Sequence, residues 1–276
     1  MKHGIKTTFA IFYRDLLTWW RDKLRVVAAL SQPFLWTLFF GLGFSQIIDA
    51  NRLATALNIE LPPDFNYFYY LYPGIVAITV MFTAVGTTIS LIWDREHGYL
   101  REILVAPVSR TAVALGKVLS GTVLSTLQGM IMIVFGGLWY QSIAYGLATF
   151  PLLLALGFMM AALGLLVAVF IQSTQAFFSA MQFLVIPLAI LSGAFFPVEL
   201  MPHWMANISF FNPVYYGVDM LRKGFLLSVL FPLKTASELK SLLLSQGPHM
   251  ITNIVVVIGF GILFTFLAAW FFRKES

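Results

Sequence analysis

The sequence predicts an all-α integral membrane protein with six transmembrane helices. Hydrophobic residues make up 59% of the 276-residue chain and charged residues only 11%, whereas a soluble domain carries about 25% charged residues. Residues 118–198 contain no charged side chain. Other uncharged runs approach the length of about 20 residues that a helix needs to cross a bilayer. We therefore expect a single membrane domain over residues 1–276 and no soluble domain.

Uncharged runs define the expected spans, because a charge at the centre of a membrane helix costs about 2.5–3.5 kcal/mol. The expected spans are residues 26–48, 71–93, 112–138, 148–171, 175–196 and 251–272. Six spans place both termini on one side of the membrane. Lys and Arg are concentrated in the N-terminal segment, in residues 94–117 and in the C-terminal tail. The positive-inside rule therefore predicts a multi-pass protein of the plasma (inner) membrane with both termini cytoplasmic.

The segment before the first span, residues 1–25, is expected to form an amphipathic helix in the cytoplasmic interface. The apolar side chains with helical spacing are Phe9, Phe12, Tyr13, Leu16 and Trp20. The alternative is a positively charged flank without its own structure. No signal-peptide cleavage pattern is present, so we expect the first span to be retained as an anchor.

Residues 197–228 are apolar, but Pro197, Pro202 and Pro213 interrupt them, so no continuous span fits. Half-helices that re-enter the outer leaflet fit this pattern, because irregular backbone exposed to lipid is not tolerated. The alternative is an ordinary external loop. We expect re-entrant half-helices between spans five and six.

No catalytic, nucleotide or metal site is predicted. Gly116 and Lys117 look like the end of a phosphate-binding loop, but Val118 replaces the required Ser or Thr and Thr111 replaces the first glycine. The four histidines are scattered and have no partners at metal-ligand spacing. We therefore expect no cofactor in this chain. The net charge of +5 is explained by membrane topology, and nucleic-acid binding is not expected.

The expected spans contain almost no ionisable residue, which ion-coupled transport would require. Their polar residues are Lys117, near one end, and Gln128, Gln172, Gln175 and Gln182. The glutamines are expected to hydrogen bond between helices rather than to form an ion path. Energy for any transport would therefore come from a partner that contacts a cytoplasmic loop.

The loop of residues 94–111 is suited to such a partner. Its charged residues are Asp94, Arg95, Glu96, Arg101, Glu102 and Arg110. In the segment YLREILVA, Leu100, Ile103 and Leu104 share one helix face. This face could dock into a groove of a partner protein or rest on the lipid surface. The pattern by itself leaves both possibilities open.

Two blocks of the sequence resemble the type-2 ABC exporter permease family. The stretch WDREHGYLREILVAPVSRTAVALGK resembles the cytoplasmic loop of these permeases. LSGAFFPVELMPHW, followed by NPVYYGVDMLR, resembles the block that follows their fifth span. Together with the six spans and the interfacial helix, the resemblance covers nearly the whole chain. It is closest to the membrane subunits of multidrug and antibiotic exporters.

The resemblance implies a permease homodimer bound to two copies of a separate ABC ATPase subunit, which would bind ATP and Mg²⁺. The loop would contain the coupling helix that seats in the ATPase. The implied coupling residues are Arg95, Glu96, Gly98, Tyr99, Leu100, Arg101, Glu102, Ile103, Leu104 and Pro107. The implied outer-gate residues are Phe195, Phe196, Pro197, Pro202, Asn212 and Pro213. Gly157, Ala161 and Gly164 offer small surfaces for close helix packing.

The substrate implied by the resemblance is an amphipathic or lipid-like molecule, such as a drug, an antibiotic or a lipid. A polysaccharide or lipo-oligosaccharide exporter is the alternative. An ion-coupled secondary transporter or a membrane assembly protein is the alternative from another class. In each case the chain would be a transport or structural subunit and not an enzyme.

Overall fold

A computed structural model describes residues 2–43, 67–99, 109–140, 149–230 and 247–274, whose regular structure is entirely helical. The α-helices are α1 (Lys2–Arg21), α2 (Lys23–Trp36), α3 (Tyr67–Thr87), α4 (Ile89–Glu96), α5 (Arg110–Tyr140), α6 (Phe150–Phe170), α7 (Thr174–Ile190), α8 (His203–Ser209), α9 (Pro213–Leu230) and α10 (Met250–Lys274). A π-helix, Thr37–Leu42, continues α2, and a 3₁₀ turn, Val198–Leu200, precedes α8. The all-α fold class is thus confirmed for the described residues.

Four helical segments of the described residues are long and apolar enough to cross a membrane. They are Tyr70–Glu96, Arg110–Gly136, Phe150–Phe170 and Met250–Lys274. Residues 44–48 of the first expected span lie outside the described residues, and α7 has only 17 residues. The structure supports a multi-pass membrane protein, and the six-span arrangement stays a prediction.

Helices α3, α5 and α6 pack closely because small residues lie at their contacts. A Cβ atom added to Gly164 of α6 would lie 2.9 Å from the Cα atom of Val85 in α3. At Gly157 it would lie 2.5 Å from the hydroxyl of Ser125 in α5. The side chain of Ala161 is fully buried. The close packing predicted for Gly157, Ala161 and Gly164 is therefore confirmed.

Helix α1 packs on α5 with a different face from the one that the apolar pattern identified. Ile11, Asp15 and Trp19 are buried, while Phe9 and Trp20 are 61% and 68% exposed. Thr8 donates a hydrogen bond to the carbonyl of Ala112 at the start of α5. Phe9, Tyr13 and Trp20 thus point away from the bundle, as an interfacial helix would require, and the interfacial position itself stays a prediction.

The segment after α7 differs from the sequence-based boundaries. The helix ends at Ile190, and the chain turns through Gly193, whose φ is +74°, so residues 191–196 do not continue the helix predicted for 175–196. Arg222 and Lys223, which lie within the expected half-helices of residues 197–228, are buried on α9. Their burial is possible because each cation has polar partners within the fold.

Candidate functional site

The predicted coupling site begins where α4 ends. The helix continues through Arg95 and Glu96, and Gly98, with a φ of +78°, follows its end. Tyr99 is 55% exposed and its ring stacks on that of His97. The other predicted coupling residues, namely Leu100, Arg101, Glu102, Ile103, Leu104 and Pro107, lie outside the described residues.

Arg95 binds the C-terminal end of α6. Its Nη1 atom donates to the carbonyls of Ala168, Val169 and Ile171 at 3.1, 3.0 and 2.9 Å. The last carbonyls of a helix have no partner within the helix and carry its negative dipole end. A guanidinium group supplies both the missing donor and a compensating charge. The base of the loop is therefore fastened to α6.

Glu96 binds the N-terminal end of α7. Its carboxylate accepts hydrogen bonds from the backbone N–H and the hydroxyl of Thr174, each at 2.7 Å. An anion at a helix N-terminus satisfies free N–H groups and complements the helix dipole. Arg95 and Glu96 thus hold the two sides of the short turn between α6 and α7.

Arg110 fastens the other end of the loop. Its Nη1 atom donates to the carbonyl of Phe272, near the end of α10, at 3.1 Å. The two described ends of the loop therefore lie at the same end of the helices as the C-terminus of α10 and the turn between α6 and α7. We call this end the loop end, and the opposite end the far end.

Beside the loop base lies a buried group of charges that we call the ionic cluster, formed by Arg14, Asp15, Asp94 and Lys117. The Lys117 side chain is only 1% exposed. Its ammonium lies 2.8 Å from Asp94 and 3.0 Å from Asp15, and it donates to the Ser90 hydroxyl at 2.9 Å. A buried lysine requires such partners, because an unpaired charge in a low-dielectric interior costs several kcal/mol.

Arg14 completes the ionic cluster. Its Nη2 atom lies 2.7 Å from Asp94 and 3.0 Å from Asp15. Burial alone would lower the pKa of the guanidinium, but hydrogen bonding and attraction from Asp94 and Asp15 outweigh it, so the pKa is raised. Two cations and two anions balance, and they join α1, α4 and α5 at the loop end.

The ionic cluster was not predicted from the sequence. The sequence pattern places Lys117 near the end of a span and Asp94 in the loop, and it assigns no partner to Asp15. One signal existed: Asp15 lies one helical turn from Ile11 and from Trp19, on a face that is otherwise apolar. An acidic residue on an apolar face calls for a cationic partner.

The predicted outer-gate residues lie at the far end. Asn212 donates to the carbonyl of Leu188 near the end of α7 at 2.7 Å. Phe195 packs on Trp36, with ring centroids 5.4 Å apart. Pro197 and Pro213 are buried, whereas Phe196 and Pro202 are exposed. Nothing in these contacts tests a gating role, which stays a prediction.

Buried charges also join the far end of the helices. Arg222 donates to the carbonyl of Gly193 at 2.7 Å and lies 3.8 Å over the ring of Tyr70. Lys223 pairs with Asp219 at 2.7 Å, and Asp219 accepts from Asn253 of α10 at 2.7 Å. Helix α9 is therefore tied to α3, to α10 and to the turn after α7. Among the described residues, no group of three or more His, Asp or Glu side chains could hold a metal ion.

Comparison with known proteins gives related sequences with different names. A putative transport permease from Cyanophora paradoxa is 27% identical over 222 residues, which are 79% of this chain and 73% of that protein. A probable multidrug ABC transporter permease from Escherichia coli K12 is 28% identical over 168 residues. Those residues are 59% of this chain and 45% of the relative, so the match spans less than half of that protein.

A third relative is nodulation protein J from Rhizobium leguminosarum bv. viciae, which is 25% identical over 217 residues. That match covers 77% of this chain and 80% of the relative. The family model of the ABC-2 type transporter matches residues 6–226, which include most of α1, the loop base, the ionic cluster and most of α9. The chain therefore belongs to the ABC-2 type transporter family and is a membrane transport permease subunit.

Proposed function

We propose that this chain is the permease subunit of an ATP-driven exporter, working as a homodimer with two copies of a separate ABC ATPase. It moves an amphipathic or lipid-like molecule out of the cytoplasm or the inner leaflet. Family membership supports a transport permease with an ABC ATPase partner. The direction of transport, the homodimer and the substrate are part of the proposal.

The observation that carries the coupling role is the set of contacts at the base of the loop. Arg95 and Glu96 bind the facing ends of α6 and α7, and Arg110 binds the end of α10. Asp94 joins the same base to α1 and α5 through the ionic cluster. A displacement of the loop would therefore move five helices together, because each is held by at least one charge-assisted hydrogen bond.

The proposed mechanism follows from this attachment. ATP binding draws the two ATPase subunits together, and their motion displaces the loops seated on them. The loop base transmits that displacement to the ends of the membrane helices at the loop end. The helices of the two permease copies then separate at the outer side, where α8 and α9 border the exit.

The names of the relatives do not agree on a substrate, since one refers to multidrug transport and another to nodulation. The second candidate function is therefore export of a polysaccharide or lipo-oligosaccharide by the same coupling mechanism. An ion-coupled transporter would need titratable groups that change partners during transport. The ionic cluster has equal positive and negative charges, and every member is paired.

The coupling role is tested by Leu104→Glu in the permease reconstituted with its ATPase. A carboxylate on the proposed docking face would be desolvated on binding, which costs several kcal/mol. We expect ATP-driven transport to fall by at least about tenfold, since about 1.4 kcal/mol already corresponds to that factor. Co-purification of the ATPase and substrate-stimulated ATP hydrolysis are measured alongside transport.

Phe211→Glu is the matched control, because Phe211 is 85% exposed and follows α8 at the far end. It introduces the same carboxylate away from the loop and should leave ATPase binding unchanged. Full transport by Leu104→Glu would contradict the coupling role. Transport driven by a proton gradient without ATP would contradict the exporter as a whole.

A further inference from the structure

A groove of about 630 Å³ opens between the N-terminal helices and α3–α4. Its volume lies within the range of about 300–1,000 Å³ that is typical of small-molecule sites. Residues of α1 to α4 form most of its lining, and Gln128 of α5 and Phe178 of α7 also contribute to it. Leu24 and Phe178 are exposed, so the groove is open at these residues.

The lining of the groove is mostly apolar and aromatic. Trp36, Phe82 and Trp93 are partly exposed, so their rings can contact a molecule inside. Flat aromatic surfaces favour an aromatic or acyl body through contact area and ring stacking. A polyhydroxylated chain would lose its hydration here without regaining hydrogen bonds, which is unfavourable.

One polar pair interrupts this apolar surface. The hydroxyl of Thr83 on α3 lies 2.6 Å from Oε1 of Gln128 on α5, and Gln128 is only 2% exposed. Thr83 also lies 2.8 Å from the carbonyl of Thr79. The pair offers a hydrogen-bonding position to a ligand at one point of the groove, which fixes orientation.

The charge at the mouth of the groove does not favour an ionic ligand. Asp22 is the only ionisable side chain among the described lining residues, and it is exposed. Arg21 and Lys23, its neighbours in the chain, are exposed as well. Charges of both signs at a solvated mouth give little selectivity, because water and salt screen them.

We propose that this groove binds an uncharged amphipathic molecule with an aromatic body and one hydrogen-bonding group directed at Thr83 and Gln128. The inference rests on the proposed function, because it names the substrate class of the exporter. The apolar lining recognises the aromatic body of the ligand, and the hydroxyl of Thr83 selects ligands that carry a hydrogen-bonding group. The glycan alternative would require a groove with many more polar groups.

Binding is measured on the permease alone in phosphatidylcholine nanodiscs, using the aromatic amine N-phenyl-1-naphthylamine as the probe. Saturable energy transfer from tryptophan to the probe is recorded, and the signal of empty nanodiscs is subtracted. Three tryptophans line the groove, so a bound probe lies within transfer distance. Maltoheptaose serves as the polyhydroxylated competitor and should not displace the probe.

Gly86→Leu places a bulky side chain in the groove, and its Cβ atom meets no other atom within 4 Å. We expect the affinity for the probe to fall by at least about tenfold, since displaced apolar contact of a leucine side chain corresponds to that factor or more. Gly259→Leu is the matched control, because Gly259 has equally open space on α10, outside the groove. Equal affinity in the two variants would overturn the site.

Thr83→Val removes the hydroxyl while keeping the shape of the side chain. We expect about fivefold weaker binding of the probe, which corresponds to one hydrogen bond. Binding of the N-methylated analogue, which has no N–H group, should not change. Thr265→Val is the matched control, because Thr265 donates to its i−4 carbonyl at 2.8 Å in the same way as Thr83. Equal losses for both probes would overturn the role of Thr83 in recognition.

Displacement of the probe by maltoheptaose would overturn the proposed substrate class. The ATPase is absent from these measurements, so they are independent of coupling. Probe binding that meets all expectations would stand even if Leu104→Glu left transport unchanged. Conversely, loss of coupling in Leu104→Glu would stand even if the groove bound nothing.

Discussion

Lys117 pairs with Asp15 and thereby allows the N-terminal helix α1 to pack against an apolar bundle. The side chain is almost fully buried, yet both of its ion-pair partners come from other helices, Asp15 from α1 and Asp94 from α4. A buried pair is weak evidence for net stability, but removing one member leaves an uncompensated charge. The residue therefore contributes more to the position of α1 than to the total stability.

Replacing Lys117 with Met should destabilise the protein by about 3–5 kcal/mol, the usual cost of breaking a buried ion pair. Asp15 and Asp94 would then share only the partly exposed Arg14. Thermal unfolding of the purified protein in detergent measures the effect. Adding Asp94→Asn restores the balance of charge in the cluster, so the double variant should be more stable than Lys117→Met alone.

Lys6→Met is the control for this change, because Lys6 is an exposed lysine on α1, the helix that also carries Asp15. It should leave the melting temperature unchanged, since an exposed lysine loses little on substitution. A melting temperature of Lys117→Met equal to that of the unaltered protein would refute the burial of Lys117 among the carboxylates.

Arg95→Met should show the contribution of Arg95 to the stability of the fold separately from its contribution to coupling with the ATPase. The change removes hydrogen bonds to three carbonyls at the end of α6, where a partly exposed charged donor contributes about 1–3 kcal/mol. We expect a modest fall in melting temperature and a large fall in substrate transported per ATP hydrolysed. Arg273→Met, at an exposed arginine near the end of α10, should keep that ratio. A fall in melting temperature with an unchanged ratio would show a purely structural role.

At the scale of the helices, hydropathy and turn residues predicted where most elements lie. Residues 112–138 and 251–272 fall within α5 and α10, since long uncharged runs leave few alternatives to a membrane helix. The end of α7 was placed too late because residues 191–196 are as apolar as the helix itself. Hydropathy does not reveal that the helix ends at Ile190 or that the chain then turns through Gly193 with a positive φ.

The face on which α1 packs could not be deduced from the same pattern. Its strongest apolar stripe is the exposed one in the structure, because a membrane protein can direct apolar residues toward lipid. The pairing of Asp15 with Lys117 spans 102 positions in the chain, and one sequence carries no direct signal for so distant a contact. The resemblance implies a coupling role for Arg95 and Glu96, which stays a prediction, and only the structure shows the helix ends that they bind.

Gly164→Val should disrupt the contact between α6 and α3. A Cβ atom at this position would lie 2.9 Å from Val85 Cα and from the Thr88 hydroxyl, so the helices must move apart or strain their side chains. Overpacking of this kind costs about 1–3 kcal/mol. Thermal unfolding should show the loss, whereas Gly259→Val on the open face of α10 should unfold near the temperature of the unaltered protein. Equal melting temperatures would argue against close packing of α3 and α6.

At the scale of the whole molecule, the charged contacts of the described residues lie at the two ends of an apolar bundle. The ionic cluster, Arg95, Glu96 and Arg110 join the helices at the loop end. Arg222, Lys223 and Asp219 join them at the far end. The groove with its single polar pair lies between α1–α2 and α3–α4. In the proposed mechanism, force enters at the loop end and the substrate binds the apolar groove in the middle of the bundle.

The orientation of this bundle in the membrane can be tested directly, because the chain contains no cysteine. Tyr99 and Phe211 are 55% and 85% exposed at the loop end and the far end, and Lys274 lies at the end of α10. In single-cysteine variants, Tyr99→Cys and Lys274→Cys should react with a membrane-impermeant maleimide only in inside-out vesicles. Phe211→Cys should react only in intact spheroplasts, because the positive-inside rule puts the basic loop end in the cytoplasm. Labelling of Tyr99→Cys and Lys274→Cys from opposite sides would refute the even number of spans expected between these two residues. Labelling of both from outside would reverse the orientation.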